Sequence, residues 1–448
     1  MMNYTKQNFR NFLAVMLLSL SLACSKTDDL TSIVEIMPEG MVHSPNILLI
    51  IADDMGVDAT PGYGIGTVQP HMPNLMELQA SGITYDNVWS APMCAPTRAT
   101  IITGKYGINS GVLNTSNAGT IPETETTIQA YLDQQLGNLY ANALIGKWHL
   151  SNNENSRPNE MGIDYFAGLI PGTLTDYNQW ELTINGQTNT NEEYITTKLT
   201  DLAIEWVNAQ EKPWFCWLAY TAPHSPFHLP PATMHSQGSL VDDPASLEVN
   251  PRPYYMAMIE SIDYEIGRLL SQIPIAEREN TVVIFVGDNG TPGSVIQSPF
   301  LSNRSKGSLY QGGIHVPLVV SGSGVSRKGQ RDRSLVHTAD LFSTISQIAG
   351  VETPQYHDSQ SFYTTFSDTA ISPRNYNYSE ILDFQKPAKS GYTLRNERYK
   401  LIVLDNGSSR FYDLQGDPYE QNNLMNQNLS TDQHLAFEEL QAQALVIR

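Results

Sequence analysis

Residues of the types that bind cations and move protons stand directly after four apolar runs of this chain. They are Asp53 with Asp54, Lys147 with His149, His224, and Asp288 with Asn289. If the runs are parallel strands, these side chains converge on one site, because open α/β sheets bind ligands beyond the carboxyl ends of their strands. Three carboxylates and one amide form an all-oxygen shell, which suits Ca²⁺ or Mg²⁺ and disfavours zinc. Taken singly, each acidic pair also fits a helix cap or a tight turn.

The elements that must position these residues are visible in the pattern of apolar residues. Five runs are typical of buried strands, namely Asn46 to Ile51, Ala141 to Ile145, Trp214 to Tyr220, Thr281 to Val286 and Val316 to Val320. The clearest helical pattern runs from Tyr194 to Gln210, where apolar residues recur at spacings of about three and four. Alternating strands and helices predict an α/β fold with a largely parallel sheet and helices on both faces.

The last part of the chain has a different pattern. After a polar stretch from Val351 to Ser372, three short runs are typical of antiparallel strands: Tyr392 to Leu394, Tyr399 to Leu404 and Arg410 to Leu414. Asn406-Gly407 fits a hairpin turn, and a closing helix is predicted from Thr431. We therefore expect a catalytic domain over residues 44–355 and a C-terminal subdomain over residues 356–448.

Length and charge limit the classes of partner. The chain has 448 residues, enough for one large α/β domain with a smaller appendage or for two to three average domains. Its formal net charge of −20 should repel nucleic acids and anionic membranes. We therefore expect no nucleic-acid partner, and an anionic substrate must meet a local positive pocket.

The first residues predict export. Lys6 and Arg10 precede an apolar run from Phe12 to Ala23, which is too short to cross a bilayer but suits the core of a signal peptide over residues 1–23. Cys24 ends a segment that resembles a bacterial lipoprotein cleavage box, so we expect lipidation of Cys24 and a polar tether over residues 24–43. The alternative is ordinary cleavage beside an incidental cysteine. The expected location is the periplasm or the outer membrane as a lipoprotein, with exposure at the cell surface left open.

Cysteine usage excludes two structural devices. The chain has Cys24, Cys94 and Cys216 and no others. With Cys24 lipidated, two remain, so no disulfide framework holds the fold even though the expected compartment is oxidising. The spacing also excludes a zinc site built from cysteines.

Cys94 begins the chain's most specific motif. The segment Cys94-Ala95-Pro96-Thr97-Arg98, followed by Thr103-Gly104-Lys105, resembles the sulfatase signature C-x-P-[ST]-R with a downstream Thr-Gly. The resemblance implies that a formylglycine-generating maturation enzyme oxidises Cys94 to an aldehyde. Hydrated, that aldehyde is a diol, whose one hydroxyl attacks sulfur while the other later loses its proton and expels sulfate. The alternative is a buried structural cysteine beside a turn proline.

Other segments extend the resemblance to formylglycine-dependent sulfatases. Gly146-Lys147-Trp148-His149, Pro223-His224-Ser225-Pro226, and Lys306 before Gly312-Gly313-Ile314 match family motifs. By resemblance, Asp53, Asp54, Cys94, Asp288 and Asn289 bind the metal, while Lys147, His224 and Lys306 contact substrate. Arg98 and Lys147 would hold the diol and the oxygens on the metal side, His149 would act as the base, and His224 or Lys306 as the acid.

The resemblance covers about residues 44 to 424 and implies the alkaline phosphatase-like fold. That fold is a large mixed, mostly parallel sheet between helices, with a small antiparallel sheet alongside. The chain departs from the usual family pattern at Lys105, Ser151, Gln311 and His315. These departures put substrate contacts and local ion pairs in doubt but leave the nucleophile and the metal ligands intact.

The expected function of this exported protein is hydrolysis of sulfate esters, with release of inorganic sulfate from a sulfated carbohydrate or polysaccharide fragment. Five polar or aromatic residues on predicted loops are candidates for a sugar subsite, with solvated loop positions as the alternative: His228, Arg252, Tyr254, Tyr255 and His315. Three other functions stay open. They are a phosphonate monoester hydrolase or phosphodiesterase of the same superfamily, an arylsulfatase acting on small phenolic sulfates, and an inactive lipoprotein that binds sulfated glycan.

Overall fold

The first strand, β1 (Asn46–Ala52), is buried on both faces over its whole length, as a central strand of an α/β sheet must be. Its side chains alternate between two apolar clusters. Ile47 and Leu49 belong to one cluster, and Leu48 and Ile50 belong to the other. The two clusters therefore lie on opposite faces of one sheet, and each needs its own cover of helices.

The computed structural model describes residues 44–115, 119–368, 372, 374–383 and 387–448, which belong to one compact unit. The strands after β1 are β2 (Gly82–Trp89), β3 (Ala141–Lys147), β4 (Tyr165–Leu169), β5 (Trp180–Ile184), β6 (Gln187–Asn191), β7 (Trp214–Ala219), β8 (Thr281–Gly287), β9 (Leu318–Gly322), β10 (Gln330–His337), β11 (Gln355–Tyr356), β12 (Ser359–Gln360), β13 (Asn377–Ile381), β14 (Gly391–Arg395), β15 (Tyr399–Leu404) and β16 (Ser409–Asp413). The helices are α1 (Pro73–Ser81), α2 (Cys94–Thr103), α3 (Gly107–Ser110), α4 (Ile128–Leu136), α5 (Arg157–Glu160), α6 (Ile195–Asn208), α7 (Pro244–Val249), α8 (Arg252–Gln272), α9 (Ile275–Glu279), α10 (Gln311–Ile314), α11 (Asp340–Ile348) and α12 (Thr431–Ile447). The predicted signal peptide, Cys24 and the polar tether lie outside the described residues.

The large sheet is mixed and mostly parallel. Its described strands lie in the order β10-β2-β9-β8-β1-β7-β3-β4-β5-β6. Within this order β8, β1, β7, β3 and β4 pair in parallel. Only β9 and β5 oppose the common direction among these described strands. The expected large mixed sheet is thereby confirmed.

Helices cover both faces of this sheet. Residues of α2, α4 and α11 enter the cluster that contains Ile47 and Leu49. Residues of α1, α6 and α8 enter the opposite cluster with Leu48 and Ile50. The predicted helix over residues 194–210 corresponds to α6, which turns Leu199 and Leu202 toward the sheet.

A small antiparallel sheet completes the fold. β13, β14, β15 and β16 pair in sequence order without a break in register. α12 packs Leu440 against Leu401 and Phe411 of this sheet. The predicted turn at Asn406-Gly407 joins β15 to β16, where Gly407 has a φ of +84°. Ser430 caps the closing helix, which begins at Thr431 as predicted.

The sequence prediction was wrong about one strand and missed several others. The run from Val316 to Val320 forms a strand only from Leu318 onward, because Pro317 has no N–H to donate, and this strand runs antiparallel to β8. β10 and β6 were missed because they are the two edge strands and carry many polar side chains toward solvent. The expected boundary between residues 355 and 356 stays a prediction.

Among the described residues, no helix combines the length and the apolar character that crossing a bilayer requires.

Candidate active site

The four polar clusters lie together at the carboxyl edge of the large sheet. β8, β1, β7 and β3 are neighbours in that order and run parallel. Asp53 follows β1, His224 lies in the loop after β7, and Asp288 follows β8, while Lys147 is the last residue of β3. The structure thus brings together the side chains whose convergence the strand pattern predicted.

Asp53 and Asp54 form the buried floor of the site. Lys147 Nζ contacts Asp53 directly, and Arg98 lies 3.6 Å from the same carboxylate. Asp54 has a φ of +70°, a left-handed conformation that costs an L-residue roughly 1–2 kcal/mol. This conformation turns two successive carboxylates toward the same cluster, so the backbone strain coincides with the proposed function.

Cys94 is the first residue of α2 and lies 1% exposed. Its Sγ is 3.8 Å from Asp54 Oδ1. Arg98 lies one helical turn later on the same face, and its guanidinium donates to the Lys147 carbonyl at 2.7 Å and to Asp288 at 3.1 Å. The four-residue spacing of the motif therefore directs the cysteine and the arginine into one cluster.

His149 follows Lys147 in a strained backbone conformation. Its φ is +59°, and its N–H donates to the Ile170 carbonyl at 3.1 Å. The imidazole is largely buried, and its Nδ1 has no hydrogen-bond partner among the described residues. Gly172 lies against the ring so closely that a Cβ at this position would overlap it. The segment carrying Gly172 can approach His149 only because it has no side chain there.

His224 faces Asp54 from the loop after β7. Its Nδ1 is 2.6 Å from the Ser225 carbonyl, which only accepts, so Nδ1 carries the proton. Nε2 is 3.9 Å from Asp54 Oδ2. Tyr177 donates its hydroxyl to the backbone carbonyls of His224, at 2.5 Å, and Thr221, at 3.1 Å. Tyr177 therefore fixes the backbone from which the His224 ring projects.

Asp288, Asn289 and Lys306 close the cluster. Asp288 Oδ1 accepts the Asp54 backbone N–H at 2.9 Å, so the loops after β1 and β8 are joined directly. Asn289 Nδ2 donates to Asp54 Oδ1 at 2.8 Å. Lys306 Nζ is 2.5 Å from the same oxygen, and its side chain is about one-fifth exposed. Lys306 is thus the cation of the cluster that reaches solvent.

The residues present fit a hard divalent cation. Ligand atoms of Asp53, Asp54, Cys94 and His224 lie within 4.8 Å of one another. Asp53 Oδ1 and Asn289 Oδ1 are buried without a hydrogen-bond partner among the described residues, a costly state that a cation would relieve. The oxygens of Asp53, Asp54 and Asn289 favour Ca²⁺ or Mg²⁺, whereas Cys94 and His224 contribute one sulfur and one nitrogen to the same group. Asp288 falls outside the tightest group because Asp54 and Arg98 occupy its oxygens.

Burial and neighbouring charges set the carboxylate pKa values in opposite directions. Burial acts to raise the pKa of Asp53, but Lys147, His224 and Arg98 outweigh it and hold that pKa well below its ordinary value. Burial and the negative charge of Asp53 raise the pKa of Asp288 to about 7. The two carboxylates thus differ in their hold on a proton although they share Arg98 as a partner.

The basic groups and the thiol are also shifted. Burial lowers the pKa of His149 well below its ordinary value, with Lys147 and Arg98 adding to the effect. Burial also lowers the pKa of His224, against the opposing effect of Asp54. Burial and the charge of Asp53 raise the pKa of the Cys94 thiol. An unmodified thiol at this position is therefore protonated and a weak nucleophile.

The predicted sugar-subsite residues do not form one surface. Tyr254 and Tyr255 were expected on a loop, but they lie in α8 and are 3% and 0% exposed. Proline is tolerated in the first turn of a helix, so the Pro-rich start of α8 was misread as a loop. Arg252 begins α8 and donates to the carbonyl oxygen of Val295.

The two histidines of that set are also engaged elsewhere. His315 lies 2.8 Å from the Asp86 carbonyl through Nε2, and burial lowers its pKa to about 4. His228 stays on a loop as predicted, but its ring stacks on Tyr177 at 3.9 Å between centroids. Since Tyr177 holds the His224 backbone, His228 supports the site instead of forming an open sugar subsite.

The positions that depart from the family pattern make local contacts outside the cluster. Gln311 accepts the indole N–H of Trp89 at 2.8 Å. Ser151 accepts the indole N–H of Trp148 at 3.0 Å. Lys105 forms an ion pair with Glu125 at 2.7 Å. These departures therefore leave Cys94 and the carboxylates in place.

Sequence reasoning missed Tyr177 and Gly172, and it assigned Tyr255 to a sugar subsite instead of to the support of Asp54. Tyr255 donates its hydroxyl to the Asp54 carbonyl at 2.8 Å, Tyr177 holds His224, and Gly172 makes room beside His149. No local signal marks them, since a tyrosine in an apolar helix face and a glycine after a proline are common. Only the tertiary contacts reveal them.

Comparisons with known proteins identify one family over most of the chain. Residues 45–351 match the family described as Sulfatase, and residues 304–444 match the one described as N-sulphoglucosamine sulphohydrolase, C-terminal. Arylsulfatase J of Mus musculus is 27% identical over 350 residues, 74% of this chain and 57% of that protein. N-acetylgalactosamine-6-sulfatase of Rattus norvegicus is 27% identical over 362 residues, 71% of this chain and 64% of that protein. The chain thus spans less than two thirds of these relatives' length.

One solved structure resembles nearly the whole chain. The crystal structure of Ps i-CgsB in complex with k-i-k-neocarrahexaose is 25% identical and superposes with a TM-score of 0.74. The match covers 89% of this chain and 92% of that chain.

Proposed function

The chain belongs to the sulfatase family, and we propose that it hydrolyses sulfate esters, releasing inorganic sulfate from a sulfated carbohydrate. The observation that carries this proposal is the position of Cys94, 3.8 Å from Asp54 and one helical turn before Arg98. Three carboxylates and three permanent cations surround it within the described residues. A nucleophile beside a cationic pocket is what attack on an anionic ester requires.

We propose that Cys94 carries a formylglycine whose hydrate supplies the nucleophilic hydroxyl, and that Ca²⁺, with Mg²⁺ as the alternative, supplies compensating positive charge beside it. Asp53, Asp54, Asp288 and Asn289 would hold the cation. The raised pKa of the Cys94 thiol supports the modification, because a protonated thiol would be inert in this position.

The residues around Cys94 divide the remaining tasks. Arg98 and Lys147 hold Asp53 ionised and fix its orientation. His149 has a lowered pKa, so it is neutral near pH 7 and can accept a proton from the nucleophile's side chain. Lys306 carries a proton on the side open to solvent, where it can stabilise the leaving oxygen, with His224 as the alternative donor.

A sulfated carbohydrate is the proposed substrate class. The named activity of N-acetylgalactosamine-6-sulfatase and the carrageenan hexaose bound to Ps i-CgsB both concern sulfated sugars. The proposed export of the chain supports this class, because an exported enzyme would meet polysaccharides outside the cell. The rival substrates are small aryl sulfates and phosphate diesters or phosphonates.

The test uses full-length protein made with and without the formylglycine-generating enzyme. Sulfate release is measured on a panel of sulfated sugars, 4-nitrophenyl sulfate, a phosphate diester and a phosphonate monoester, with and without chelator. The mass of the peptide around residue 94 reports conversion. We expect release from a sugar that requires both the aldehyde at residue 94 and the divalent ion.

A Cys94→Ala variant is the matched control, since it removes only the buried sulfur atom and cannot be converted. Full conversion with turnover of the phosphate diester alone would replace the proposal by the phosphodiesterase function. Preference for the aryl ester over every sugar would leave an arylsulfatase. Binding of sulfated glycan without any metal-dependent turnover would leave a non-enzymatic glycan-binding protein.

Conversion of Cys94 must precede folding. The residues of the motif are buried within α2, so no enzyme can reach them in the native state. We expect the maturation enzyme to convert the unfolded chain or a peptide spanning residues 90–106, and not the folded thiol form. Conversion of the folded protein would show that α2 opens more readily than its burial implies.

We also propose export with lipid attachment at Cys24, anchored to the outer membrane or released to the periplasm. The support is the apolar run that ends at Cys24. Mass analysis of the mature N-terminus tests it. A Cys24→Ala variant should lose the acyl mass and leave the membrane fraction, and an unmodified N-terminus at another residue would indicate ordinary cleavage.

A further inference from the structure

Glu420 is a buried acidic residue that belongs to the C-terminal part of the chain but contacts the segment carrying Lys306. It lies in the turn after β16, is 1% exposed and has a φ of +59°. A left-handed, buried glutamate costs energy twice, in backbone conformation and in desolvation of its charge. Such a residue persists when the surrounding contacts require it.

Three of its oxygens have separate partners. Glu420 Oε1 is 2.6 Å from Lys400 Nζ of β15, whose side chain is fully buried. Oε2 accepts the backbone N–H of Gln311 at 2.6 Å. The backbone carbonyl accepts from the Arg304 guanidinium. Arg304 and Gln311 stand on either side of Lys306, so Glu420 holds that segment at both ends.

The segment between Arg304 and Gln311 leads directly into the active site. The Lys306 N–H donates to the Thr291 carbonyl at 3.1 Å, and the Gly307 N–H donates to the Pro92 carbonyl at 2.9 Å. Pro92 lies two residues before Cys94. The segment therefore spans the loop after β8 and the approach to α2.

A second connection joins the helix that begins at Gln311 to the loop that carries Asn289. The Gly313 carbonyl accepts the Gly290 N–H at 2.9 Å, and a Cβ at Gly290 would overlap the Gly312 backbone. Gly290 follows Asn289, which donates to Asp54. A shift of the helix that begins at Gln311 would therefore be transmitted to Asn289 through backbone contact.

We propose that Glu420, held in place by Lys400, is a positioning residue through which the C-terminal sheet sets the position of Lys306 and Asn289. The inference rests on the proposed function, because it assigns no task to Glu420 other than placing those two side chains. It gives the small sheet a role in the reaction, although none of its described residues enters the carboxylate cluster.

The test separates the hydrogen bond to Gln311 from the buried ion pair. Lys400→Met with Glu420→Gln removes both charges but keeps an amide oxygen for the Gln311 N–H. Lys400→Met with Glu420→Leu removes the charges and that acceptor. Replacing a buried ion pair by apolar residues of similar volume is often neutral for stability, so both double variants should fold. The matched control is Glu380→Gln. Glu380 is a buried residue of β13 whose carboxylate accepts from the Ile108 N–H and the Tyr378 hydroxyl.

We expect the Leu double variant to lose about 10-fold more kcat/KM than the Gln double variant on 4-nitrophenyl sulfate or the preferred sugar. The Leu variant should also unfold at a lower temperature, because the buried Gln311 N–H loses its acceptor, so kcat/KM is compared at a temperature where both variants are fully folded. Lys306→Met should cost several-fold less activity in the Leu background than in the Gln background, because displacement of Lys306 has already removed part of its contribution. Equal activity of the two double variants, or fully additive losses with Lys306→Met, would overturn the proposal.

A crystal structure of each double variant supplies a readout that does not depend on turnover. In the Leu variant the distance from Lys306 Nζ to the Asp54 carboxylate should increase, whereas the Gln variant and Glu380→Gln should retain it. If the wild-type protein hydrolyses no sulfate ester, the proposed function is wrong. The distance from Lys306 Nζ to the Asp54 carboxylate still tests whether Glu420 positions Lys306. An unchanged Lys306 and Gln311 in the Leu variant would refute it.

Discussion

The two ends of the same parallel strands differ in how well their polar groups are satisfied. At the amino ends, Asn46 donates to Glu277 at 2.8 Å and accepts the Trp214 N–H at 3.1 Å. Asn142 makes equivalent bonds with Asp164. At the carboxyl ends, four residues of the charged cluster have buried atoms without a partner among the described residues: Asp53, Arg98, His149 and Asn289. Asp54 and His149 also adopt left-handed backbone conformations there.

The difference indicates which end was shaped for stability and which for binding. A buried polar atom without a partner costs roughly 1–3 kcal/mol, so a chain under selection for stability alone would not keep four of them together. At the amino ends, by contrast, the buried amides of Asn46 and Asn142 have partners for both their oxygen and their nitrogen. The carboxyl edge concentrates unsatisfied groups and strained residues in one charged cluster, which is the combination that a bound ligand would relieve.

Removing a carboxylate at the carboxyl edge gives the largest expected effect. Asp288→Asn should lower kcat/KM by about 1,000-fold or more, because it weakens the cation site and frees Arg98. It should not lower the unfolding temperature measured in chelator, since burial and Asp53 raise the pKa of Asp288 to about 7 and its charge is unfavourable in the folded state. If Asp288→Asn lowered stability but retained activity, the carboxyl edge would serve stability and not binding.

Filling the space beside His149 should have a smaller effect. In Gly172→Ala the new methyl group overlaps the imidazole, so the ring must move. We expect a loss of about 10- to 100-fold in kcat with little change in unfolding temperature, because a displacement of about 1 Å costs that much in positioning. Gly416→Ala is the control, since its Cβ would meet no atom closer than 3.9 Å. Identical kinetics for the two variants would show that the His149 ring does not need its present place.

A substitution at the amino edge should lower the stability of the protein and leave its activity unchanged. Asn46→Ala removes two hydrogen bonds and leaves the Trp214 N–H buried without a partner, so we expect a loss of about 2–3 kcal/mol in the free energy of unfolding. Turnover by the folded fraction should be unchanged, because Asn46 lies at the far end of β1 from Asp53. Denaturant titration together with kcat measures both quantities. A fall in kcat at full folding would mean that the two edges are coupled.

Much of the fold was predictable because buried parallel strands are continuous apolar runs. β1, β3, β7 and β8 begin at the predicted residues, and the side chains that follow them meet as expected. Edge strands such as β10 are partly polar and lack this signal, so they were missed. The start of α8 was misread because prolines before Tyr254 suggest a loop, although a helix accepts them in its first turn.

The support around the site was not predictable from local patterns. Glu420 lies more than one hundred residues from Gln311 in sequence, and nothing in its neighbourhood marks it as buried. Tyr177 and Tyr255 act through hydroxyl contacts to backbone carbonyls, which leave no spacing in the sequence. Motifs identify residues that do chemistry, whereas residues that hold them are identified by tertiary structure alone.

Asp58 resembles the amino edge in having hydrogen-bond partners and the carboxyl edge in being a buried carboxyl group with a raised pKa. Its substitution gives the smallest expected effect, a change in how stability depends on pH. It is buried and accepts from Thr291 at 2.7 Å and Gln297 at 2.9 Å, but it forms no direct ion pair with any described residue. Burial raises its pKa from 3.8 to about 6. Because the folded state holds this proton more tightly, the stabilising contribution is complete below pH 3.8 and is lost as the pH rises through about 6.

Asp58→Asn should therefore gain stability relative to the wild type as the pH rises from 4 to 7, by on the order of 2 kcal/mol. At pH 4 the variant should be about 1 kcal/mol less stable, because the introduced amide cannot offer the Gln297 N–H the same acceptor. Denaturant titrations at several pH values measure the difference, with the exposed Asp405→Asn as the control. A difference that does not vary with pH would mean that Asp58 stays ionised when buried, held by its hydrogen bonds as firmly as a salt-bridged carboxylate.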